Sequence, residues 1–346
     1  MNAWRSESAG GTLLRGALRP AASAFGGLVA LRNRLYDRGR LRVRPASIPA
    51  VSVGNLAVGG AGKTPVSAWL ARELAAHGAT PGIVMRGYGG DEPMVHRELN
   101  PDIPVFTYAD RAAGVNAAAR AGCDIAVLDD AFQHRRAARV EDVVLLSADS
   151  WNGSTPLLPA GPWREPLSAL RRASLVLITA KGAGVAEIEA VVRSVRGAAP
   201  AVPTAVARLA LDQLHSLWGE SGQSLESLRG KDVVAVAAVA DPGPFFAGLQ
   251  HAGAVVRPMP FPDHHRFTAR DVADIHAASG RDALVVCTLK DAVKLRAVWP
   301  PEAPAPWYVS QAVTIEQGME EAAALVGRLL AARADREPRH SDPATG

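Results

Sequence analysis

Short apolar runs alternate with stretches of helical periodicity through residues 46–200. The runs lie at 48–55, 81–87, 123–130, 140–148 and 173–180. They lack the polar alternation of half-exposed strands, and such continuous runs are typical of parallel strands covered on both faces. A helical pattern over 64–77 follows the first run. The alternation of strands and helices predicts a doubly wound, parallel α/β domain over 46–200.

The pattern restarts after a Pro- and Ala-rich stretch at 197–205, which we interpret as a domain boundary. Beyond it the predicted elements are a strand, turn and helix over 233–253, a strand running into a polar loop over 283–295, a strand over 306–313 and a helix over 315–333. They predict a second, smaller α/β domain over 205–333. This domain would close a cleft against the first, and such clefts commonly hold ligands.

The chain's positive charge belongs to its N-terminal arm. Residues 1–45 hold nine arginines and two acidic residues, so their side chains carry a charge of +7. The whole chain has a formal net charge of +4, and the remaining residues therefore carry −3. A basic arm on an otherwise acidic body does not favour a nucleic-acid partner. The two cysteines lie far apart, so no disulfide framework or zinc spacing is present, and a reducing compartment is favoured.

The same arm is predicted to lie on a membrane surface. Its longest charge-free apolar stretch, 20–31, is about half of the roughly 20 residues that a membrane span needs. Arginines that flank a Leu- and Ala-rich segment suit a helix in the bilayer interface, among anionic headgroups. A helix packed on the body with a solvated basic face is the alternative. Residues 334–346 are predicted to form a disordered tail.

A glycine-rich loop, GNLAVGGAGKTP at 54–65, joins the first predicted strand to the first predicted helix. Ala57 replaces the first glycine of the common G-x-x-x-x-G-K-[ST] pattern, but a doubled glycine lies closer to the lysine. Backbone amides, a lysine and a hydroxyl at a helix N-terminus are the groups that bind nucleotide phosphates. The sequence therefore predicts a P-loop. Its predicted nucleotide-binding residues are Gly59, Gly60, Ala61, Gly62, Lys63, Thr64 and Pro65.

Three further groups have the chemistry of phosphoryl transfer. Asp129 and Asp130 end an apolar run, where a carboxylate commonly anchors Mg²⁺ together with the loop hydroxyl, here Thr64. Asp91 and His264 follow strands of different predicted domains. Loops at the carboxyl ends of strands line α/β clefts, so this acid and histidine would meet when the cleft closes.

The motifs together resemble those of the tetraacyldisaccharide 4′-kinase (lipid A 4′-kinase) family. In chain order they are VGNLAVGGAGKTP (53–65), RGYGG (86–90), DEP (91–93), DDAFQH (129–134), LLPAGPWREP (157–166), FPDHH (261–265) and KDAVK (290–294). The resemblance covers about 240 residues and rests on the ordered combination of motifs. The basic, apolar N-terminus also fits the family.

The resemblance implies ATP- and Mg²⁺-dependent phosphorylation of the 4′-hydroxyl of a tetraacylated glucosamine disaccharide, giving lipid IVA. The enzyme would be peripheral on the cytoplasmic face of the inner membrane, with no obligate protein partner. Asp91 would be the base, His264 would raise its basicity, and Arg111 would steady charge on the transferred group. Lys63 and Thr64 would serve the phosphates and Mg²⁺. Weaker candidates for substrate or nucleotide contact are Gln133, His134 and Arg164.

Three positions depart from the family pattern. The Arg-Gly-Tyr and Asp-Glu-Pro motifs abut where an insertion is usual, which affects the reach of Asp91. Ala131 replaces a usual glycine after the acid pair, and Leu289 replaces a usual glutamate before Lys290. None of these changes removes a proposed catalytic group.

Two other classes of protein carry similar loops. A membrane-recruited P-loop switch or partitioning ATPase is the main alternative, but such loops often carry a lysine where this chain has Val58. A metallochaperone GTPase is the second alternative. Its clustered Cys and His ligands and its guanine-specifying motif are missing from the sequence.

Overall fold

The computed structural model describes residue 13 and residues 15–87, 91–219, 222–280 and 282–335. The predicted tail is therefore largely outside the described residues, as are the first twelve residues of the arm and residues 88–90 of the RGYGG motif.

Nine α-helices are named below from the described residues. They are α1 (Arg19–Asp37), α2 (Lys63–Ala76), α3 (Glu92–Leu99), α4 (Arg111–Arg120), α5 (Val185–Ala198), α6 (Gly243–His251), α7 (Ala269–Ser279), α8 (Leu289–Leu295) and α9 (Met319–Ala334). Short 3₁₀ helices lie at Leu167–Arg172 and Leu225–Leu228.

The strands of the described residues form one sheet. They are β1 (Ala50–Asn55), β2 (Pro81–Met85), β3 (Val105–Thr107), β4 (Ile125–Asp129), β5 (Glu141–Ser147), β6 (Leu175–Ala180), β7 (Thr204–Ser216), β8 (Gly222–Ser224), β9 (Asp232–Ala237), β10 (Val255–Pro260), β11 (Leu284–Thr288) and β12 (Trp307–Gln317). Their order is β10-β9-β11-β12-β7-β6-β5-β1-β4-β2-β3, and β8 pairs with β7.

The first half of the sheet has the predicted doubly wound, parallel arrangement. All neighbouring pairs from β7 to β3 are parallel, and β1 lies between β5 and β4. The neighbouring carboxyl ends of β1 and β4 bring the glycine-rich loop beside Asp129. Helices α2 and α9 contribute Leu70 and Leu325 to one core, and α5 contributes Val191 and Val195 to a core that includes inward-facing residues of β5 and β6.

The two halves of the sheet meet at an antiparallel pair, β7 with β12. Strands β9 to β12 are parallel to one another, so the second half repeats the α/β pattern with reversed direction relative to the first. The sheet is continuous across the predicted boundary at 197–205, because β7 pairs with β6 as well as with β12. The division into two domains remains a prediction.

Two local predictions are wrong. The predicted polar loop after β11 is helix α8, whose first turn is capped by the Thr288 hydroxyl, which accepts from the Asp291 amide; Val293 and Leu295 are buried. The last helix begins at Met319 rather than at residue 315, because Ile315–Gln317 extend β12 and Gly318 turns the chain with a φ of 74°.

Helix α1 packs against the body. Ala22 and Val29 are buried, whereas Leu28 and Leu31 are 67% and 54% exposed. At one end of the contact, Asn33 donates to the fully buried carboxylate of Glu165 at 2.7 Å. No helix in the described part of the chain is long and apolar enough to cross a bilayer.

Candidate active site

The glycine-rich loop presents an open backbone surface between β1 and α2. Gly59 has a φ of 131° and Gly62 a φ of 81°, conformations that side-chain-bearing residues rarely adopt. A Cβ at Gly59 or Gly60 would meet nothing within 4 Å, so space remains beside the loop. At Gly62 a Cβ would lie 2.3 Å from the end of the Leu209 side chain, so a larger residue would also have to displace that buried leucine. Thr179 holds the loop from below by donating to the carbonyl of Ala61 at 3.0 Å.

A neighbouring segment, 157–166, is hydrogen-bonded through its backbone to the start of the loop. The Val58 amide donates to the carbonyl of Pro162 at 2.8 Å, and the Arg164 amide donates to the carbonyl of Leu56 at 2.7 Å. The Arg164 guanidinium then reaches the Asn55 side-chain oxygen and lies 3.0 Å from Asp130. Arg164, a weaker sequence candidate, is thus among the groups that line the loop.

Lys63 and Thr64 begin α2, whose N-terminus faces the loop. The Lys63 ammonium lies 3.5 Å from the Asn55 side-chain oxygen and 3.8 Å from Asp130. The Thr64 hydroxyl lies 3.5 Å from Asp129. The amine, the hydroxyl and the positive end of the helix dipole therefore converge where phosphates bind in such loops.

Asp129 and Asp130 have different surroundings. Asp129 is buried, accepts from Thr64 and lies 2.8 Å from Nε2 of the fully buried His96. In the part of the chain that the structure describes, its Oδ1 has no hydrogen-bond partner. Asp130 follows in a left-handed conformation (φ 49°) that turns its side chain toward Lys63 and Arg164. Burial raises the pKa of Asp130, but these two cations outweigh it and hold that pKa below its ordinary value.

Asp91 and His264 lie side by side, although they belong to different halves of the sheet. Nδ1 of His264 is 3.7 Å from Oδ2 of Asp91. Asp91 is 5% exposed and its Oδ1 has no hydrogen-bond partner among the described residues, whereas the His264 side chain is half-exposed. The Lys290 ammonium lies 3.2 Å from Nε2 of His264, on the far side of the ring.

The backbone conformation around His264 directs its side chain toward Asp91. His264 has a φ of 59°, a conformation that costs a residue with a side chain free energy. The next residue, His265, is anchored between Phe261 and Phe267 at ring distances of 5.0 and 5.2 Å. It also bonds Asp271 at 3.1 Å. His265 is thus packed into the domain, and its neighbour faces Asp91.

Glu92 adds a second carboxyl group next to Asp91. Burial raises the pKa of Glu92, and the negative charge of Asp129 raises it further, against the opposing effect of Lys290. Acidic groups with raised pKa values often cluster at functional sites. This clustering indicates a site that accumulates negative charge and that favours nearby cations.

Arg111 begins α4 and is almost fully buried. Its guanidinium donates to the carbonyl of Tyr108 at 2.8 Å. Burial lowers the pKa of Arg111, while Asp130 and Asp129 oppose that change. The Arg111 guanidinium therefore interacts electrostatically with both members of the acid pair.

The remaining weak candidates lie in the loop after the acid pair. The Gln133 amide donates to the Asn55 carbonyl at 3.0 Å, which fixes it against the end of β1. His134 is half-buried, and burial and the charge of Arg111 lower its pKa. Ala131, one of the departures from the family pattern, is buried and its amide lies 3.3 Å from the Val53 carbonyl. Its backbone torsion is not left-handed, so glycine is not required there.

Sequence reasoning missed four residues of this arrangement: Asn55, Glu92, His96 and Lys290. Asn55 and Lys290 stood inside quoted motifs without an assigned role. His96 carried no local signal, because its partner Asp129 is brought to it by the packing of α3 against the sheet.

The sequence profile described as tetraacyldisaccharide-1-P 4′-kinase matches residues 14–92 and 89–329. The chain belongs to this family. The resemblance drawn from the motifs is thereby confirmed, and membership makes the chain a kinase. The two matched stretches overlap at 89–92, the segment that holds Asp91.

Relatives with the same description cover most of the chain. The chain is 38% identical over 334 residues to the tetraacyldisaccharide 4′-kinase of Halorhodospira halophila, covering 90% of this chain and 92% of that protein. It is 40% identical over 328 residues to that of Anaeromyxobacter dehalogenans, with coverages of 84% and 85%. Among solved structures, LpxK from Aquifex aeolicus, crystallised with ATP, superposes with a TM-score of 0.72 at 27% identity. That superposition covers 91% of this chain and 99% of the Aquifex chain, which confirms the α/β fold.

Proposed function

We propose that this kinase transfers the γ-phosphoryl group of ATP to the 4′-hydroxyl of a tetraacylated glucosamine disaccharide, giving lipid IVA. The observation that carries the proposal is the approach of Asp91 to His264 beside a P-loop. A nucleotide switch needs the loop but has no use for an acid–histidine pair that faces it from a separate segment. An acceptor hydroxyl needs such a pair.

ATP is the phosphoryl donor. The open backbone at Gly59 and Gly60 leaves room for the phosphates, and Lys63 reaches across the loop toward them. The Aquifex relative was crystallised with ATP, which supports the same nucleotide here. Residues 59–65 are the proposed binding segment.

Asp129 and Thr64 fit Mg²⁺ as its protein ligands. The buried Oδ1 of Asp129, which has no hydrogen-bond partner among the residues that the structure describes, is available as an oxygen ligand, and the Thr64 hydroxyl is 3.5 Å from the other oxygen. Mg²⁺ commonly takes one or two carboxylates together with phosphate oxygens and water. Bound there, Mg²⁺ would neutralise charge on the β- and γ-phosphates. Asp130, already paired with Arg164, would support the ion through a water molecule.

Asp91 is the general base. Its carboxylate accepts the proton of the 4′-hydroxyl as the sugar oxygen bonds to the γ-phosphorus and the bond to ADP breaks. His264 orients the carboxylate and is itself held by Lys290. Arg111 and Arg164 face the developing negative charge, because both lie near the acid pair that borders the phosphates.

The substrate is a lipid, so the enzyme works at a membrane surface. The proposed location is peripheral, on the cytoplasmic face of the inner membrane. Helix α1 exposes Leu28 and Leu31 among arginines of the arm, which suits the bilayer interface. Glu165 ties this helix to the segment that straps the loop, so the acceptor sugar would be held at headgroup height.

The test is transfer of label. Purified protein is incubated with Mg²⁺, ATP labelled in the γ-phosphate and the tetraacyldisaccharide in detergent micelles. We expect label in the lipid at the 4′ position, and none with Lys63→Ala. Label that accumulates only as free phosphate would contradict the proposal and favour a nucleotide switch.

A further inference from the structure

An ion pair joins the two halves of the molecule away from the reacting groups. Arg296 makes two parallel hydrogen bonds to Glu98, Nη1 to Oε2 at 2.8 Å and Nη2 to Oε1 at 3.0 Å. The hydroxyl of Tyr308 donates to the same carboxylate at 2.9 Å. Arg296 also donates to the carbonyl of Leu217 at 3.3 Å. The carboxylate of the first half thus receives three hydrogen bonds from the second half.

The position of this cluster relative to the site is informative. Helix α3 begins directly after Asp91, and Glu98 lies in its last turn. Helix α8 carries Lys290 in its first turn, and Arg296 directly follows its end. Both helices therefore start at the site and end at the ion pair, about 10 Å away at 1.5 Å per residue. The ion pair joins the C-terminal ends of α3 and α8. Asp91 precedes the N-terminal end of α3, and the N-terminal end of α8 carries Lys290, which contacts His264.

The electrostatics indicate that the pair is specific. A carboxylate in the last turn of a helix opposes the helix dipole, so α3 alone disfavours Glu98. The hydrogen bonds from Arg296 outweigh burial and lower the pKa of Glu98, with a further contribution from Tyr308. Burial and the adjacent carboxylate raise the pKa of Tyr308, so its hydroxyl stays a donor. Hydrogen bonds from Arg296 and Tyr308, both in the other half, stabilise the Glu98 carboxylate.

An open cleft of about 320 Å³ lies beside the pair, lined by polar groups that include Arg72, Asp212, His215 and Ser310 and by apolar residues that include Leu99 and Leu289. The directional hydrogen bonds of the pair span the seam beside this cleft. The side chains of Arg296 and Glu98 are 33% and 26% exposed, and a partly exposed ion pair contributes only modestly to global stability. Its two directional hydrogen bonds mainly fix the relative orientation of the two halves.

We propose that Glu98, Arg296 and Tyr308 form a latch between the two halves of the molecule, and that this latch positions Asp91 against His264. The proposal rests on the function proposed above. These three are positioning residues, because they touch none of the reacting groups. Misplacement of catalytic groups by about 1 Å can cost about 100-fold in rate, so a latch at the far ends of both helices can control catalysis.

Charge reversal tests the latch. Glu98→Arg and Arg296→Glu each place like charges together, and the double variant restores opposite charges. We expect each single variant to lower kcat about tenfold or more, with the KM for ATP unchanged within about twofold. The double variant should recover most of kcat. Glu316→Arg is the matched control, because Glu316 forms a similar bidentate pair with Arg208 in the sheet.

A distance measurement separates the latch from the reaction. Spin labels at Arg120→Cys and Asp274→Cys report the separation of exposed positions on α4 and α7, and the natural Cys123 and Cys287 are buried. With a non-hydrolysable ATP analogue bound, we expect one narrow distance distribution in the otherwise unaltered protein. Glu98→Arg should broaden it, and the double reversal should narrow it again.

Three outcomes would overturn the latch: single variants that keep kcat and the narrow distribution, a double variant as impaired as the singles, or a Glu316→Arg variant with the same kinetic loss. If Glu98→Arg does not fold, Glu98→Gln replaces it, because glutamine keeps the shape of the side chain. Its kcat and its distance distribution then test the latch. A protein that transfers no phosphate to lipid would overturn the proposed function. The spin-label distances would still show whether the latch fixes the orientation of the two halves.

Discussion

Nδ1 of His264 lies 3.7 Å from Oδ2 of Asp91, and the two residues come from opposite halves of a single sheet. Neither half contains the pair by itself. Acceptor activation therefore depends on how the halves are oriented, whereas the loop, Lys63 and Thr64 all lie within the first half. This separation allows nucleotide binding and transfer to be disrupted independently.

Asp91→Asn should abolish transfer and preserve nucleotide binding. The amide cannot accept the hydroxyl proton, so we expect kcat to fall by roughly 10²- to 10⁴-fold. The Kd for ATP, measured by fluorescence titration, should change by less than about twofold. Asp263→Asn is the control, because Asp263 also borders His264 but is 41% exposed. A collapse of ATP affinity in Asp91→Asn would place Asp91 in the nucleotide site instead.

His96→Leu should weaken metal binding. His96 is fully buried and holds the Asp129 carboxylate at 2.8 Å, so its loss frees the proposed metal ligand to rotate. Loss of such a supporting hydrogen bond commonly costs about 10- to 100-fold in metal affinity. Mn²⁺ binding in the presence of ADP, followed by electron paramagnetic resonance, measures it directly. His77→Leu, at an exposed helix end, is the control. Unchanged Mn²⁺ affinity would show that Asp129 is positioned without His96.

Glu98 should make stability depend on pH. Hydrogen bonds from Arg296 and Tyr308 hold the folded pKa of Glu98 below its ordinary value of 4.5. Below that value the unfolded chain takes up the proton first, so stability falls as the pH drops toward the folded pKa. We therefore expect Glu98→Gln to lower Tm at pH 7 and to lower it much less at pH 3.5. Equal shifts in Tm at both pH values would mean that the carboxylate charge is not what matters.

Replacing exposed leucines should detach the protein from lipid without disturbing the site. Leu28→Ser with Leu31→Ser removes two apolar side chains from the outer face of α1. Because burial of a leucine is worth roughly 1.5–3 kcal/mol, binding to anionic vesicles in a flotation assay should fall by about tenfold or more. Val185→Ser, at a 72% exposed site on α5, is the control. Undiminished flotation would mean that another surface contacts the membrane.

The sequence predicted the parts of the site that depend on local order. The apolar runs located β1 and β4, and the loop at 54–65 lies where their carboxyl ends meet. These features were readable because strand, turn and helix N-terminus follow one another within about twenty residues. The start of α8 also carries a local pattern, because Thr288 and Asp291 form a helix cap. The polar residues that follow predict a loop instead, and that prediction is wrong.

Long-range contacts were beyond sequence reasoning. Nothing near His96 indicates a carboxylate partner, and nothing near Glu98 indicates Arg296, which lies 198 residues away. Such pairs are set by how helices pack on a twisted sheet, and no periodicity records that packing. The approach of Asp91 to His264 was anticipated because both follow strands at the expected edge and because the family resemblance pairs these two residues.

Arg164 and Glu165 are consecutive residues with opposite surroundings. Arg164 reaches Asn55 and Asp130 at the loop, while the buried Glu165 binds Asn33 of α1 and Arg172. A single peptide unit thus links the part of the enzyme that would rest on lipid to the part that would hold phosphate. Trimming α1 to obtain a more soluble protein would remove one partner of Glu165 and loosen the adjacent arginine. A truncated enzyme is therefore a poor reference for the turnover of the intact one.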